Sequence, residues 1–298
     1  MSTSAPAPAT LAVAAAEGAA ATPRPRSLLR KHPAVVIGGV LLVAMVFVAV
    51  LAPWLGTVDP TAISPARRTR MPSEQYWFGT DMLGRDIYSR VVYGAGVSLI
   101  VGFGVAFIAS VIGLAIGLFA GFVRTADGIV MRIIDGMMSI PPILLAIALM
   151  ALTRGSVGNV IIAITIAEIP RVARLVRGVV LSLREQPYVE AAIACGARTP
   201  RIIWSHILPN TIAPMTVQAT YICASAMIIE AILSFIGAGV PPATPSWGNI
   251  MAEGRALWQV RPHIVFFPAL FLSITVLAVN LLGDGMRDAL DPRLAKTL

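Results

Sequence analysis

From Val91 to Val123 the chain runs 33 residues without a charged side chain. A straight helix of that length is about 50 Å long, while the hydrocarbon core of a bilayer is about 30 Å thick. The expectation is a membrane helix that tilts, protrudes or begins later than Val91. A second run, Ala34 to Ala52, has 19 uncharged residues, 12 of them Val, Leu, Ile or Phe. On the insertion scale those twelve contribute roughly −4 to −7 kcal/mol, with no charge opposing them. Only 13% of the 298 residues are charged, against 57% hydrophobic. A soluble domain of this size carries roughly 25% charge, so lipid is expected to cover much of the surface.

Four further segments complete an all-α membrane protein of six transmembrane helices. Ile129 to Leu152 is apolar and should kink at Pro141-Pro142. Asn159 to Val180 follows, with Glu168 and Pro170 inside it, and its membrane part is expected to end near Pro170. Past that point Arg171, Arg174 and Arg177 recur at spacing three, as on a helix leaving the bilayer at a headgroup surface. The fifth helix covers Thr211 to Ile236 and the sixth His263 to Leu282, joined by a polar loop from Gly237 to Pro262. The organisation is therefore a disordered N-terminal tail (1–30), a first membrane helix (31–55) and an external connecting segment (56–90). A five-helix core (91–283) contains the loop 184–210, and a C-terminal tail (284–298) closes the chain. With the N-terminus inside, inside segments hold 15 basic residues and outside segments 8, the bias of the positive-inside rule. The first outer segment, with five arginines, is its weak point.

The net charge of +8 does not indicate nucleic acid, because the basic residues lie between apolar runs and not among exposed aromatics. Two cysteines without a CxxC and three scattered histidines exclude a zinc or disulfide framework. The chain contains no GxxxxGK[ST], HExxH or GxSxG motif. Energy for uphill transport must therefore come from an ion gradient or from a partner. Gly113, Gly117 and Gly121 at spacing four suit close helix packing in lipid.

The informative stretch is Arg184 to Asn210. Pro187 can open a helix, and Gly196 can take the left-handed conformation that ends one. Thr199-Pro200 suits a cap and first helical residue, and Pro209 is expected to end the second piece. The product is a compact helix–turn–helix that exposes Glu190 beside two alanines.

That stretch resembles the signature loop of bacterial binding-protein-dependent ABC importer permeases: Glu190-Ala191-Ala192, three residues, Gly196, then Leu208-Pro209. The ending His206 to Asn210 is similar to the dipeptide, oligopeptide and nickel branch, where the general family favours an apolar residue at the place of His206. Phe78 to Asp81 with Leu83 to Asp86 and Ser89-Arg90, Leu233 to Gly237 with Pro245 to Gly248, and Asn280 to Asp284 with Leu290 to Pro292 resemble further segments of its C-type permeases. The resemblance implies a type I ABC importer permease fold in the bacterial inner membrane, with both termini cytoplasmic. It implies a second, B-type permease subunit, two ATPase subunits that bind ATP and magnesium, and a periplasmic or lipid-anchored substrate-binding protein. The chain itself would hold no cofactor. Glu190, Ala191, Ala192, Gly196, Leu208 and Pro209 would form the coupling loop to an ATPase.

Glu230, Asp135 and Trp247 are candidates for the pathway or its gate, the first two because ionisable groups in lipid are costly and often functional. Glu168 is weighed with them, and structural pairing is favoured for all three acids. The loop Pro241 to Gly248 is the candidate contact for the binding protein. A proton-driven transporter, with Glu230 or Asp135 as relay, and a membrane scaffold without transport are the rival classes. The first predicts internal repeats, and none stands out.

Overall fold

A computed structural model describes residues 33–290. The expected disordered tail lies outside the described residues, as do the last eight. Ten α-helices follow in order: α1 Pro33–Val50, α2 Ile87–Phe122, α3 Arg124–Met138, α4 Pro142–Ala151, α5 Val157–Arg184, α6 Pro187–Ala194, α7 Thr199–Ile202, α8 Leu208–Phe235, α9 Trp247–Gly254 and α10 His263–Leu290. Among the described residues the only β-pairing is an isolated bridge between Thr80 and Asp86.

All six expected membrane segments are helical. On length and apolar composition alone, four helical runs can cross a bilayer: α1, α2, the run Thr199–Phe235 and α10. A fifth is the pair α3 and α4, bent by 85° at its break. The expected kink is thus a full break. Pro141 is extended (φ −54°, ψ 132°) and Pro142 opens α4, where its missing N–H costs nothing. The remaining segment, α5, is a 28-residue helix whose apolar first turns are followed by Glu168, Arg171 and Arg174.

The boundaries differ where charge was taken as a stop signal. Instead of starting at or after Val91, α2 starts at Ile87, because the Asp86 carboxylate caps it by accepting the Ser89 N–H at 2.8 Å. Arg90 then falls inside the helix, buried and paired. α5 continues through Pro170 as expected and ends at Arg184, four residues past Val180, and Arg174 and Arg177 in its second half are paired with α3. Arg177 is bidentate to Asp127 of α3 at 2.5 and 2.7 Å, and Arg174 pairs with Asp135, about two turns further along α3. α10 continues to Leu290, eight residues past the expected Leu282 and into the expected tail. Gly283 and Gly285 are points of close approach there: a Cβ would lie 2.1 Å from Thr220 Oγ1 or 2.5 Å from Val35 Cγ2.

Glycine also sets the main helix pair. Gly113, Gly117 and Gly121 form one row of α2, and the residues they meet, Val172, Val176 and Val180, form a four-spaced row of α5. Without side chains on one face the backbones approach closely, which is how helices associate where lipid supplies no hydrophobic drive. Large apolar side chains face outward on α1 and α2, Phe107 at 71% and Val40 at 64% exposure among them, as a lipid-facing surface requires. At the Ile87 end of α2 a separate apolar cluster joins Ile87, Val91 and Ala95 to Trp247, Ile250 and Ile264. Phe78 stacks on Phe267 at 3.9 Å beside it.

Candidate functional site

The loop between α5 and α8 is two short helices set against each other. α6 opens on Pro187 and ends at Gly196, which is left-handed (φ 80°). The Ala197 N–H donates to the Ala192 carbonyl at 3.0 Å and the Gly196 N–H to Ile193 at 2.9 Å, the paired bonds of a Schellman stop. α7 starts at Thr199, one residue before the expected first helical position, with Pro200 in its first turn.

Pro209 does not end the second piece. Residues Ile203–Ile207 form one π-turn, closed by the Leu208 N–H donating to the Ile203 carbonyl, and the helix passes into α8 with Pro209 in its first turn. Proline there has no N–H to leave unpaired. The run Thr199–Phe235 is therefore 37 residues of continuous helix.

The loop is anchored by its inner face and open on its outer one. Val189, Ile202 and Ile207 are all at or below 3% exposure. Glu190, Ala191, Gly196 and Pro209 are exposed, and Ala192 and Leu208 are half-buried. Beside them stand Tyr188 at 43%, Ile193 at 58% and Trp204 at 70% exposure. A Cβ on Gly196 would meet nothing within 4 Å. Its surroundings in the chain are empty space. His206, the departure from the general pattern, lies with its ring 6.2 Å from that of Tyr188, and Asn210 Nδ2 donates to the His206 carbonyl at 2.6 Å. His206 thus lies beside Tyr188 of the first limb, whose hydroxyl Asn210 Nδ2 also reaches at 3.5 Å. Next to Glu190, a cavity of about 400 Å³ opens between Arg124, Asp127, Arg184 and Glu185.

The three membrane acids each have their own partner. Asp135 is mostly exposed on α3 and pairs with Arg174. Glu168 is buried on α5 and accepts from Arg171 at 3.0 Å. Glu230 is fully buried on α8 and accepts from the Ser234 hydroxyl at 2.8 Å. Trp247, expected on an outer contact loop, is also fully buried; its indole N–H donates to the Val91 carbonyl at 3.0 Å. The indole packs inside the chain and offers a partner no surface here. The loop before it is pinned by Asn249, whose amide donates to the carbonyls of Val240, Pro241 and Thr244.

A four-residue charge cluster was not singled out in the sequence. Asp81, just before α2, accepts from Arg85 Nε at 2.7 Å and from Arg90 Nη1 at 2.6 Å. Glu253 of α9 accepts from Arg90 at 2.5 and 3.1 Å and also pairs with Arg85. Burial raises the Asp81 carboxyl, but Arg90, the Arg85 N–H and the Arg85 charge together hold it below the usual carboxylate range. Arg85 and Arg90, two of the five arginines that weakened the topology count, thus have an internal structural role. Asp81, Arg85 and Arg90 lie, at spacings four and five, within the segments Phe78 to Asp81, Leu83 to Asp86 and Ser89-Arg90 that resemble C-type permeases; Glu253, 163 residues beyond Arg90, is paired only by the fold.

A helical membrane chain without a strand among its described residues, broken by one anchored and outwardly apolar helix–turn–helix, defines an integral membrane permease-type subunit. Residues 109–296 match the family described as binding-protein-dependent transport system inner membrane component. Residues 27–72 match the N-terminal transmembrane domain of oligopeptide transport permease C. A probable peptide ABC transporter permease of Sinorhizobium fredii is 52% identical over 89% of this chain and 91% of its own length. A glutathione transport system permease of Salmonella typhimurium is 45% identical over 90% and 89%. A dipeptide transport system permease of Alkalihalophilus pseudofirmus is 42% identical over 89% and 88%. In fold, the chain resembles the inward-facing MetNI methionine ABC transporter, with a TM-score of 0.57 and 22% identity over 69% of this chain and 98% of that one. The chain belongs to the binding-protein-dependent transport system inner membrane components. It is a multi-pass permease subunit of an ABC importer with the type I fold.

Proposed function

We propose that this permease moves peptides, or a closely related small solute, inward across the inner membrane, driven by partner ATPases that dock on the loop Glu190–Asn210. The single observation that carries the coupling role is the loop's construction. Its inner residues are locked into the bundle, its outer face is bare, and its second limb continues unbroken into α8. A push on such a loop is passed on to a whole membrane helix, because the π-turn keeps the second limb and α8 one hydrogen-bonded helix. Two ligands that bias one two-state element are what allosteric coupling requires. The cargo class follows the similarity to peptide, dipeptide and glutathione permeases.

The working assembly is this chain, a B-type permease, two ATPase subunits that bind ATP and magnesium, and a periplasmic or lipid-anchored binding protein. This chain binds no nucleotide and catalyses no reaction. Its N- and C-termini are cytoplasmic, so the loop lies on the ATPase side. Glu190, Ala191, Ala192 and Gly196 form the contact, with Leu208 and Pro209 at the joint to α8.

In proteoliposomes holding the full assembly, peptide-loaded binding protein should stimulate ATP hydrolysis and peptide uptake. Glu190→Lys and Gly196→Trp should each cut uptake at least about tenfold at unchanged abundance, the effect of losing about 1.4 kcal/mol of coupling. Normal uptake by both variants would remove the coupling assignment. Net expulsion of peptide would overturn import.

A further inference from the structure

The middle of α5 and α8 carries a polar group that coupling does not use. Arg171 has 14 residues of α5 before it and 13 after, and Tyr221 has 13 residues of α8 before it and 14 after. The Arg171 guanidinium lies over the Tyr221 ring at 5.4 Å. Arg171 lies 14 residues from Val157 and Tyr221 14 residues from Phe235, so both are about 21 Å from the ends of their helices. Asn280, exposed on α10, lines one small cavity of about 150 Å³ with Tyr221 and Ser225. Four polar side chains thus gather at mid-length of α5 and α8.

Arg171 is presented by a buried carboxylate. Glu168, at 1% exposure, accepts its Nη1–H at 3.0 Å and the Ser225 hydroxyl at 3.4 Å. Among the described residues that is the only hydrogen bond of the guanidinium, which leaves Nε and Nη2 open. The side chain remains 35% exposed, and Tyr221 53%. A cation and a tyrosine at this depth cannot be turned to hydrocarbon without a large cost, so the face meets water or protein. Gln218, one turn before Tyr221 on α8, adds a side-chain nitrogen that is buried without a partner.

We propose that Arg171, backed by Glu168 and flanked by Tyr221, is a solute contact of the translocation pathway that receives a carboxylate of the cargo. A guanidinium with two open donors matches a carboxylate's two oxygens, and every linear peptide has a terminal carboxylate whatever its sequence. The assignment rests on the peptide reading above, and it adds where the cargo touches this chain.

The test is photocrosslinking in the solubilised full transporter without its binding protein, so that the site alone is read. With Tyr221→p-benzoylphenylalanine, a labelled dipeptide should form an adduct, whereas the same probe at lipid-facing Phe107 should form none. Free dipeptide should compete about ten- to hundredfold better than its C-terminal amide, the factor carried by a hydrogen bond to a charged group. Arg171→Gln should lower adduct yield by a similar factor, with Arg171→Lys between. The amide comparison needs no change at Arg171 and stands if that variant fails to assemble. Equal competition by the amide overturns the carboxylate contact. Capture of lipid or the second permease alone, in a transporter that imports the dipeptide, overturns the site and leaves the peptide reading intact. Absence of dipeptide import by the wild-type assembly overturns both.

Discussion

The glycine row of α2 offers a test of what holds the bundle together. At Gly117 a new Cβ would lie 2.6 Å from Val176 Cβ and 2.7 Å from the Ala173 carbonyl oxygen. Carbon atoms normally rest about 3.5–4.0 Å apart, so α2 and α5 would have to separate by about an ångström. Overpacking of this kind costs about 1–3 kcal/mol. Alanine recovers about 1 kcal/mol of helix propensity over glycine. The net expectation for Gly117→Ala is a loss of up to about 2 kcal/mol, a fall in Tm of up to about 8 °C at about 2–4 °C per kcal/mol. Thermal unfolding of the detergent-solubilised protein measures it. Gly121 is the more instructive site, because the three atoms nearest its new Cβ all belong to the Val180 side chain. In a double-mutant cycle, Gly121→Ala with Val180→Gly should therefore show a coupling of at least about 1 kcal/mol, well above the 0.3–0.5 kcal/mol scatter of independent sites. Gly117→Ala with Val176→Gly should couple less, because the Ala173 carbonyl stays in place. A raised Tm for Gly117→Ala, or additivity at Gly121 and Val180, would refute the close-packing account.

Two predictions concern the charge cluster between the segment before α2 and α9. Arg90→Met removes the cation shared by Asp81 and Glu253 and should cost about 3–5 kcal/mol, the usual effect of stranding a buried partner. Asp81→Leu combined with Arg90→Met should restore part of the loss, read as Tm. The Asp81 carboxyl is held below its ordinary value in the folded chain. Its contribution to stability is therefore fully present above about pH 3.9 and is lost only as pH falls through the lower folded value. The Tm gap between wild type and Asp81→Asn should stay level from pH 8 to about pH 5 and close below about pH 4.

Membrane class and loop were legible in the sequence because each rests on short-range physics. Uncharged runs report insertion, and Pro187, Gly196 and Pro200 act on their own backbone. The misses have two physical sources. Charge marks the expected start of α2 after Arg90, yet Arg90 sits inside that helix because partners 9 and 163 residues away neutralise it. Proline was taken as a terminator at Pro209, but a π-turn upstream lets the helix run through. The burial of Trp247 depends on the Val91 carbonyl 156 residues away, which local pattern cannot supply. Gly283 and Gly285, just beyond the expected helix end at Leu282, are where α10 meets Thr220 and Val35.

The docking of an ATPase on the loop can be read directly from its own cysteine. Cys195 is exposed at the end of α6, while Cys223, the only other cysteine, is buried in α8. A membrane-impermeant maleimide should label Cys195 in inside-out vesicles stripped of ATPase. Readdition of the ATPases should slow that labelling at least about tenfold, since a docked surface is closed to solvent. Labelling from the outer side of intact cells, or a rate in inside-out vesicles that the ATPases do not change, would contradict the coupling role of the loop.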